Sequence, residues 1–183
     1  MRARLCSQNA HKLEELRAAL PGWELRLLDA DDYPPEDADT YEENARGKAL
    51  HGRAVGPAHE WMLGEDSGIE CDALDGAPGL KSARWAPAAT QAEALVERLK
   101  GEPNRRARMV AVLVAVAPDG NEVVGTGVLE GTIADEPRGE EGFGYDPVFI
   151  PAGEQKTVAE LGNNWKRANS HRARAVAALL EQL

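Results

Sequence analysis

The chain has 183 residues, of which 43% are hydrophobic and 28% charged, a size and composition typical of one domain with its own hydrophobic core. Its 31 acidic and 21 basic side chains give a net charge of −10. A charge of this sign disfavours binding to nucleic acid and to anionic membranes, so we expect neither as a partner.

The hydrophobic pattern predicts alternating strands and helices in the first half of the chain and a hairpin in the second. In the first half of the chain we expect strands at residues 2–6, 23–28 and 61–63, with an extended segment at 69–74. We expect helices there at 11–20, at 90–99 and from a Thr40 cap to about residue 55. In the second half we expect hairpin strands at 108–117 and 122–133, a strand at 146–150 and a mostly helical segment at 164–183. These elements favour an α/β fold with a mixed β-sheet. No linker-like segment divides residues 1–183, which we therefore expect to form a single domain.

The sequence contains no pattern of a targeting segment or of a structural zinc site. The N-terminal residues lack the apolar run of a signal peptide, and the longest apolar run, residues 109–117, is too short to span a bilayer. Cys6 and Cys71 are far apart and belong to no CxxC or Cys/His pattern, which predicts two free, buried thiols. We therefore expect a cytoplasmic protein.

The turn between the first strand and the first helix is a candidate anion-binding segment. Residues 7–12 read SQNAHK, and they include Ser7, Gln8, Asn9 and Lys12. The N–H groups at a helix N-terminus favour anions, and a lysine in the first turn adds a full positive charge. Alternatively, Ser7 or Asn9 only caps the helix, and Lys12 points into solvent.

Carboxylates form a second candidate site. Glu36 lies in an acidic, proline-bearing loop at residues 29–39, and Glu65 and Asp66 end a short apolar strand before Ser67. Carboxylate oxygens are preferred ligands of Mg²⁺, and the carboxyl ends of strands border the ligand crevice of α/β folds. The alternative for the acidic loop is a solvated surface.

Two later segments combine aromatic, glycine and basic residues. Residues 142–147 read GFGYDP, which offers aromatic faces to a planar base, or else core aromatics in a hairpin loop. Residues 166–174 contain the densest basic cluster of the chain. The alternative interpretation of this cluster is a solvated face of a helix. Lys166 and His171 face one ligand only if a helix bends or begins between them, with Asn169 or Ser170 as its N-cap.

Taken together, these segments resemble the motifs of the Ham1/inosine triphosphate pyrophosphatase family. Residues 7–12 are similar to its (S/T)xNxxK motif, TYEENARGKA at 40–49 to TFxENAxxKA, and EDSGIECDALDGAPGLKSARW at 65–85 to DDSGLxVxALxGxPGxxSARY. GFGYDP, TVAEL at 157–161 and KRANSHR at 166–172 follow in the family's order. Two departures are Glu65, where bacterial members usually have aspartate, and a shorter stretch after Trp85.

The resemblance implies a Mg²⁺-dependent enzyme that hydrolyses the non-standard purine nucleoside triphosphates ITP, dITP and XTP to the monophosphate and pyrophosphate. It also implies a homodimer and an elongated mixed sheet flanked by helices, with two lobes around a central cleft. By the same resemblance Asp66 is catalytic and holds the metal with Glu36 and Glu65. The implied substrate-binding residues are Ser7, Gln8, Asn9, Lys12, Ser67, Phe143, Gly144, Tyr145, Asp146, Lys166, His171 and Arg172.

Hypoxanthine and xanthine carry a carbonyl acceptor at C6, where adenine carries an amino donor. Protein donors aimed at C6 would therefore reject adenine, because an unsatisfied buried donor costs on the order of 1–3 kcal/mol. The alternatives from the sequence are another metal-dependent nucleotide phosphohydrolase of α/β type, or an inactive nucleotide-binding protein.

Overall fold

The computed structural model describes residues 1–183 and contains a six-stranded sheet in the order β2-β1-β3-β4-β5-β6. The strands are β1 (Arg2–Leu5), β2 (Glu24–Leu27), β3 (Trp61–Cys71), β4 (Arg106–Val116), β5 (Glu122–Ile133) and β6 (Phe149–Pro151). The helices are α1 (Ala10–Ala19), α2 (Tyr41–Val55), α3 (Gln91–Arg98), α4 (Val158–Asn169) and α5 (His171–Leu180). Strand β1 pairs in parallel with β2 and β3, whereas β5 and β6 are antiparallel, so the predicted mixed sheet of an α/β fold is confirmed.

The chain divides into two compact units, neither of which is a continuous stretch of sequence. The first unit consists of Met1–Asp66, Ala111–Gly127 and His171–Leu183, and the second of Ser67–Val110 and Val128–Ser170. No helix combines the length and the apolar character that a membrane crossing needs.

The first unit buries its part of the sheet on both faces. Along β4, Ala111, Leu113 and Ala115 belong to one core cluster, while the alternate residues of the strand belong to another. Because successive side chains of a strand point to opposite faces, this alternation means that β4 is covered on both sides. Helices α1 and α5 contribute to the first cluster and α2 to the second.

The second unit has a core of its own, built around α3, β6 and the flanking parts of the long strands. Leu95, Leu99, Phe149 and Val148 are its most buried members, and each is fully shielded from solvent. Both cysteines are buried, as predicted, and burial raises the pKa of each thiol to about 12. Neither thiol is therefore ionised near neutral pH.

Several predicted boundaries differ from the structure. Glu65 and Asp66 do not end a strand, because β3 runs without interruption from Trp61 to Cys71. Helix α4 begins at Val158, where Thr157 and Glu160 form a complete capping box. Its backbone is not helical at Gly162, where φ is +84° and ψ 171°, so the predicted start at residue 164 lies two residues after this break. The strand predicted at 146–150 begins only at Phe149, since the N–H of Val148 and that of Phe149 both donate to the carbonyl of Tyr145 in a turn.

Candidate active site

The segment after β1 forms a polar turn at the N-terminus of α1. Asn9 is the N-cap, and its Oδ1 accepts hydrogen bonds from the backbone N–H groups of His11 (3.0 Å) and Lys12 (3.2 Å). The Ser7 hydroxyl accepts from the Asn9 N–H at 3.1 Å. The capping role that the sequence allowed for Asn9 is therefore present, and Lys12 is directed to a carboxylate rather than to open solvent.

That carboxylate belongs to Glu65, which is 1% exposed and lies between two cations. Its Oε2 is 2.6 Å from Lys12 Nζ, and its Oε1 accepts from Arg172 Nε at 2.9 Å. The parallel register pairs Leu5 at the end of β1 with Leu63, so Glu65 extends past β1 toward the turn that leads into α1. Burial alone would raise the pKa of Glu65, but the charges of Lys12 and Arg172 outweigh burial and hold it well below its ordinary value.

Arg172 is buried between two carboxylates in the first turn of α5. Besides Glu65, Glu15 on α1 accepts from Arg172 Nη1 at 3.1 Å. Burial would lower the pKa of Arg172, but the two carboxylates raise it above its ordinary value. Helix α5 can approach the sheet because β5 carries Gly127, where a Cβ would lie 2.0 Å from the carbonyl oxygen of His171.

Lys48 on α2 connects the other two predicted metal ligands. Its Nζ donates to a carboxylate oxygen of Glu36 and, at 2.7 Å, to the carbonyl oxygen of Glu65, and it lies 3.7 Å from Asp66 Oδ1. The lysine is only 4% exposed. Helix α2 approaches β3 this closely because Gly64 lacks a Cβ, which would otherwise lie 1.9 Å from the carbonyl oxygen of Ala45.

Asp66 is buried and hydrogen-bonded on its second oxygen as well. Asn44 Nδ2 donates to Asp66 Oδ2 at 2.9 Å. Burial raises the pKa of Asp66 above its ordinary value, and Lys48 and the Asn44 donor offset that effect only in part. Adjacent residues of one strand thus have pKa values displaced in opposite directions, because Glu65 has two close cations and Asp66 has one more distant cation.

The donor set formed by Glu36 and Asp66 fits a magnesium ion. Mg²⁺ is typically held by one or two carboxylates together with water and phosphate oxygens, and both carboxylates contact the same Lys48 ammonium. The structure contains no group of three or more His, Cys, Asp or Glu side chains arranged to hold a metal. Glu65, the third predicted ligand, already contacts Lys12 and Arg172 with its two carboxylate oxygens, which is the arrangement of a counter-ion to these two cations.

The second unit brings Phe143, Asp146 and Lys166 together. Lys166 Nζ lies 4.1 Å from the centroid of the Phe143 ring and donates to Asp146 Oδ2 at 2.5 Å. The same oxygen accepts from the Phe143 backbone N–H at 2.7 Å. Gly142 is required in this turn, because its φ is +83° and a Cβ there would lie 2.2 Å from Asp146 Oδ2.

Tyr145 has a different environment from its neighbours in the GFGYDP segment. Its ring is buried in the core of the second unit, and its hydroxyl donates to the carbonyl oxygen of Ser82 at 2.8 Å. These contacts favour a packing role for Tyr145 over the base contact expected from the sequence. Gly144, with a φ of +63°, is half-buried beside it.

The helix start expected between Lys166 and His171 is present. Helix α4 ends at Asn169, Ser170 has an extended backbone with ψ near 161°, and His171 opens α5. Lys166 belongs to the second unit, and the buried His171 to the first. Of the remaining predicted residues, Gln8 is exposed and Ser67 is half-buried, directly after Asp66 on β3.

The sequence reasoning did not single out Lys48, Asn44 or Glu15, although each contacts a predicted site residue. A lysine on a helix normally extends into solvent, and the hydrophobic periodicity of the sequence does not indicate that Lys48 is buried. For Asn44 and Lys48 the available signal was their position in the TYEENARGKA segment at residues 40–49, whereas Glu15 lies outside every motif quoted above.

Comparison with known proteins finds similarity over nearly the whole chain. A model of the Ham1 family matches residues 3–182. A dITP/XTP pyrophosphatase of Deinococcus deserti is 46% identical in an alignment of 178 residues that covers 93% of this chain and 84% of the relative. Another from Bdellovibrio bacteriovorus is 48% identical over 155 residues, covering 81% and 77% of the two chains.

Solved structures with the same fold include a HAM1 protein from Coxiella burnetii, with a TM-score of 0.85, 33% identity and full coverage of both chains. A nucleoside-triphosphatase, or dITP/XTP pyrophosphatase, from Mycobacterium abscessus has a TM-score of 0.75 and 39% identity, covering 98% of this chain and 99% of its own. With the family model spanning all but three residues, the chain belongs to the Ham1 family.

Proposed function

We propose that this protein hydrolyses non-standard purine nucleoside triphosphates, namely ITP, dITP and XTP, to the nucleoside monophosphate and pyrophosphate. The observation that carries the proposal is the buried cluster in the first unit, where Lys12, Lys48 and Arg172 alternate with carboxylates. Such a cluster offers cations to a triphosphate and carboxylates to its metal ion. The names of the relatives, dITP/XTP pyrophosphatases, support the same substrate class.

We assign Mg²⁺ to Glu36 and Asp66 and give Glu65 the role of a counter-ion that holds Lys12 and Arg172. When bound, the metal supplies charge neutralisation and polarisation at the triphosphate. The Lys48 ammonium between Glu36 and Asp66 supports this assignment, because it marks a position where the two carboxylates together attract a cation.

In the proposed reaction, Asp66 accepts a proton from the attacking water. The water oxygen forms a bond to the α-phosphorus, the bond to the bridging oxygen breaks, and pyrophosphate leaves with that electron pair. Lys12, Ser7 and Asn9 at the start of α1, together with Ser67, donate to phosphate oxygens. Lys12 can do so without losing Glu65, since its ammonium has three donors.

For the base, we propose that Phe143 stacks on the purine while Lys166 donates toward the C6 carbonyl. The Lys166 ammonium lies over the ring face, and its contact with Asp146 fixes its direction. We assign to His171 and Arg172 a hydrogen bond to the purine O6 or to a phosphate. Adenine is then rejected because its C6 amino group would face a protein donor.

The test is a substrate panel of ITP, XTP, dITP, GTP and ATP, assayed for pyrophosphate and orthophosphate with and without Mg²⁺. We expect pyrophosphate from ITP, XTP and dITP but not from ATP, and only when Mg²⁺ is present. GTP also carries a C6 carbonyl, so its rate measures selection at C2, separately from the proposed selection at C6. Orthophosphate as the product would instead indicate another phosphohydrolase, and no Mg²⁺-dependent turnover would indicate an inactive nucleotide-binding protein. The proposal includes a homodimer, to be checked by light scattering, and a role in the cytoplasmic nucleotide pool.

A further inference from the structure

Asn44 uses both ends of its side-chain amide to join two separate segments of the first unit. Its Oδ1 accepts from the backbone N–H of Ala38 at 3.1 Å, and its Nδ2 donates to Asp66 Oδ2 at 2.9 Å. Ala38 lies two residues after Glu36 in the acidic loop, whereas Asp66 lies on β3. One buried side chain, 5% exposed, therefore links the segment that carries Glu36 to Asp66 itself.

The chemistry of the two contacts requires an amide. The Ala38 N–H needs an acceptor, while the ionised Asp66 carboxylate needs a donor. A carboxylate at position 44 would offer no donor, and an alanine would remove the acceptor of the part-buried Ala38 N–H and the donor to Asp66. Asp66 is buried, so water does not readily replace the hydrogen bond that it loses.

Lys48, one turn further along α2, also contacts both carboxylates, but through its charge. A divalent cation attracted by Glu36 and Asp66 repels that ammonium, so the Lys48 contacts weaken as the cation binds. The neutral Asn44 amide is not subject to this repulsion. Its two hydrogen bonds would therefore be kept when a divalent cation binds.

We propose that Asn44 is a positioning residue that sets the separation of Glu36 and Asp66 and thereby the affinity of the protein for a divalent cation. This inference rests on the proposed function, in which those two carboxylates hold Mg²⁺. It assigns to Asn44 no contact with substrate or metal, since its amide is already used by Ala38 and Asp66.

The test is direct binding of Mn²⁺ to the full chain without nucleotide, measured by electron paramagnetic resonance of the free ion. We expect Asn44→Ala to bind Mn²⁺ about 10- to 100-fold more weakly than the wild type, the usual cost of removing a group that orients a metal ligand. The matched control is Gln91→Ala, because Gln91 is also a buried amide and its Nε2 donates to the Ala83 carbonyl in the second unit at 3.0 Å. That control should bind Mn²⁺ as the wild type does.

The variant Glu36→Gln distinguishes a failure of the proposed metal site from a failure of the proposed role of Asn44. If Glu36→Gln weakens Mn²⁺ binding but Asn44→Ala leaves it unchanged, the metal site stands and the role of Asn44 is overturned. If Glu36→Gln binds Mn²⁺ as tightly as the wild type, the proposed metal site fails, and the inference about Asn44 fails with it.

Amide hydrogen exchange in the wild-type chain provides a measurement that does not depend on the folding of a variant. We expect the Ala38 amide to exchange at least about tenfold more slowly than in an unstructured peptide, because Asn44 accepts its hydrogen bond. Exchange at the unstructured rate would mean that Asn44 does not hold the loop, and would overturn the proposal.

Discussion

The charged cluster of the first unit and that of the second unit differ in how their cations are balanced. In the first unit, Lys12, Lys48 and Arg172 each contact at least one carboxylate, and Glu65 is shared by two of them. In the second unit, Lys166 contacts the carboxylate of Asp146 and the aromatic ring of Phe143.

This difference indicates what each cluster is suited to bind. A network of several cations and carboxylates can exchange internal partners for a polyanion and its metal ion, because every new contact replaces one of similar strength. A lysine that contacts a carboxylate and lies over a ring face is suited to a planar, uncharged group with a directed acceptor. We therefore expect variants in the first unit to affect turnover and stability, and variants in the second to affect the choice of base.

The largest effect is expected from Asp66→Asn. We predict that turnover falls about 10³-fold, because the amide cannot accept the proton of the attacking water. The melting temperature should not fall, since burial raises the pKa of Asp66 and its charge is therefore unfavourable to folding. Pyrophosphate release and thermal melts measure both quantities. Asp37→Asn, an exposed neighbour of Glu36, is the control, and full activity in Asp66→Asn would remove Asp66 from the mechanism.

Glu65→Gln should affect stability more than any other change in this cluster. The substitution leaves Lys12 and Arg172 without their shared carboxylate, and breaking a buried ion pair typically costs about 3 kcal/mol. Urea unfolding at neutral pH measures the loss. Glu14→Gln breaks an exposed pair with Arg17 and should cost about 0.5 kcal/mol or less. Equal effects of the two substitutions would contradict the picture of a buried network.

The contribution of Glu65 should also depend on pH with a definite sign. Because its folded-state pKa is held below the ordinary value of 4.5, its stabilising contribution is complete above that pH and is lost as the pH falls through the folded-state value. The stability difference between the wild type and Glu65→Gln should therefore narrow on acidification below that pH. The contribution of Asp66 to stability depends on pH with the opposite sign, because its pKa is raised and its protonation therefore favours folding. A difference that widens in acid would refute this assignment.

The smallest of these effects is expected in the second unit. Lys166→Met should reduce the preference for ITP over ATP by about tenfold, since the donor proposed for the C6 carbonyl is lost. The ratio of kcat/KM for the two nucleotides measures it. Arg167→Met, at the exposed adjacent position, should leave the ratio unchanged. An unaltered preference in Lys166→Met would mean that the base is selected elsewhere.

Elements with local signals were predicted closely from the sequence. Strand β5 has the predicted bounds, because the turn at residues 118–120 sets the start of the strand. The Thr40 hydroxyl accepts from the Glu43 N–H at 3.1 Å, as predicted for the cap of α2. The predicted helix start at residue 164 matches the part of α4 that follows the non-helical Gly162, whereas the turn that the Thr157–Glu160 capping box opens was not predicted.

The sequence alone determined the order and chemistry of the motifs, and therefore the family. It also determined the mixed sheet, because caps, turns and hydrophobic alternation are encoded by neighbouring residues. Only the tertiary structure decided which charges meet. Lys48 and Glu36 lie 12 residues apart and Arg172 and Glu65 107 apart, and no periodicity links such positions. Their pairing depends on the close approach of α2 and α5 to the sheet at Gly64 and Gly127. The resulting burial strengthens the attraction between the paired charges, because the protein interior screens charges less than water does.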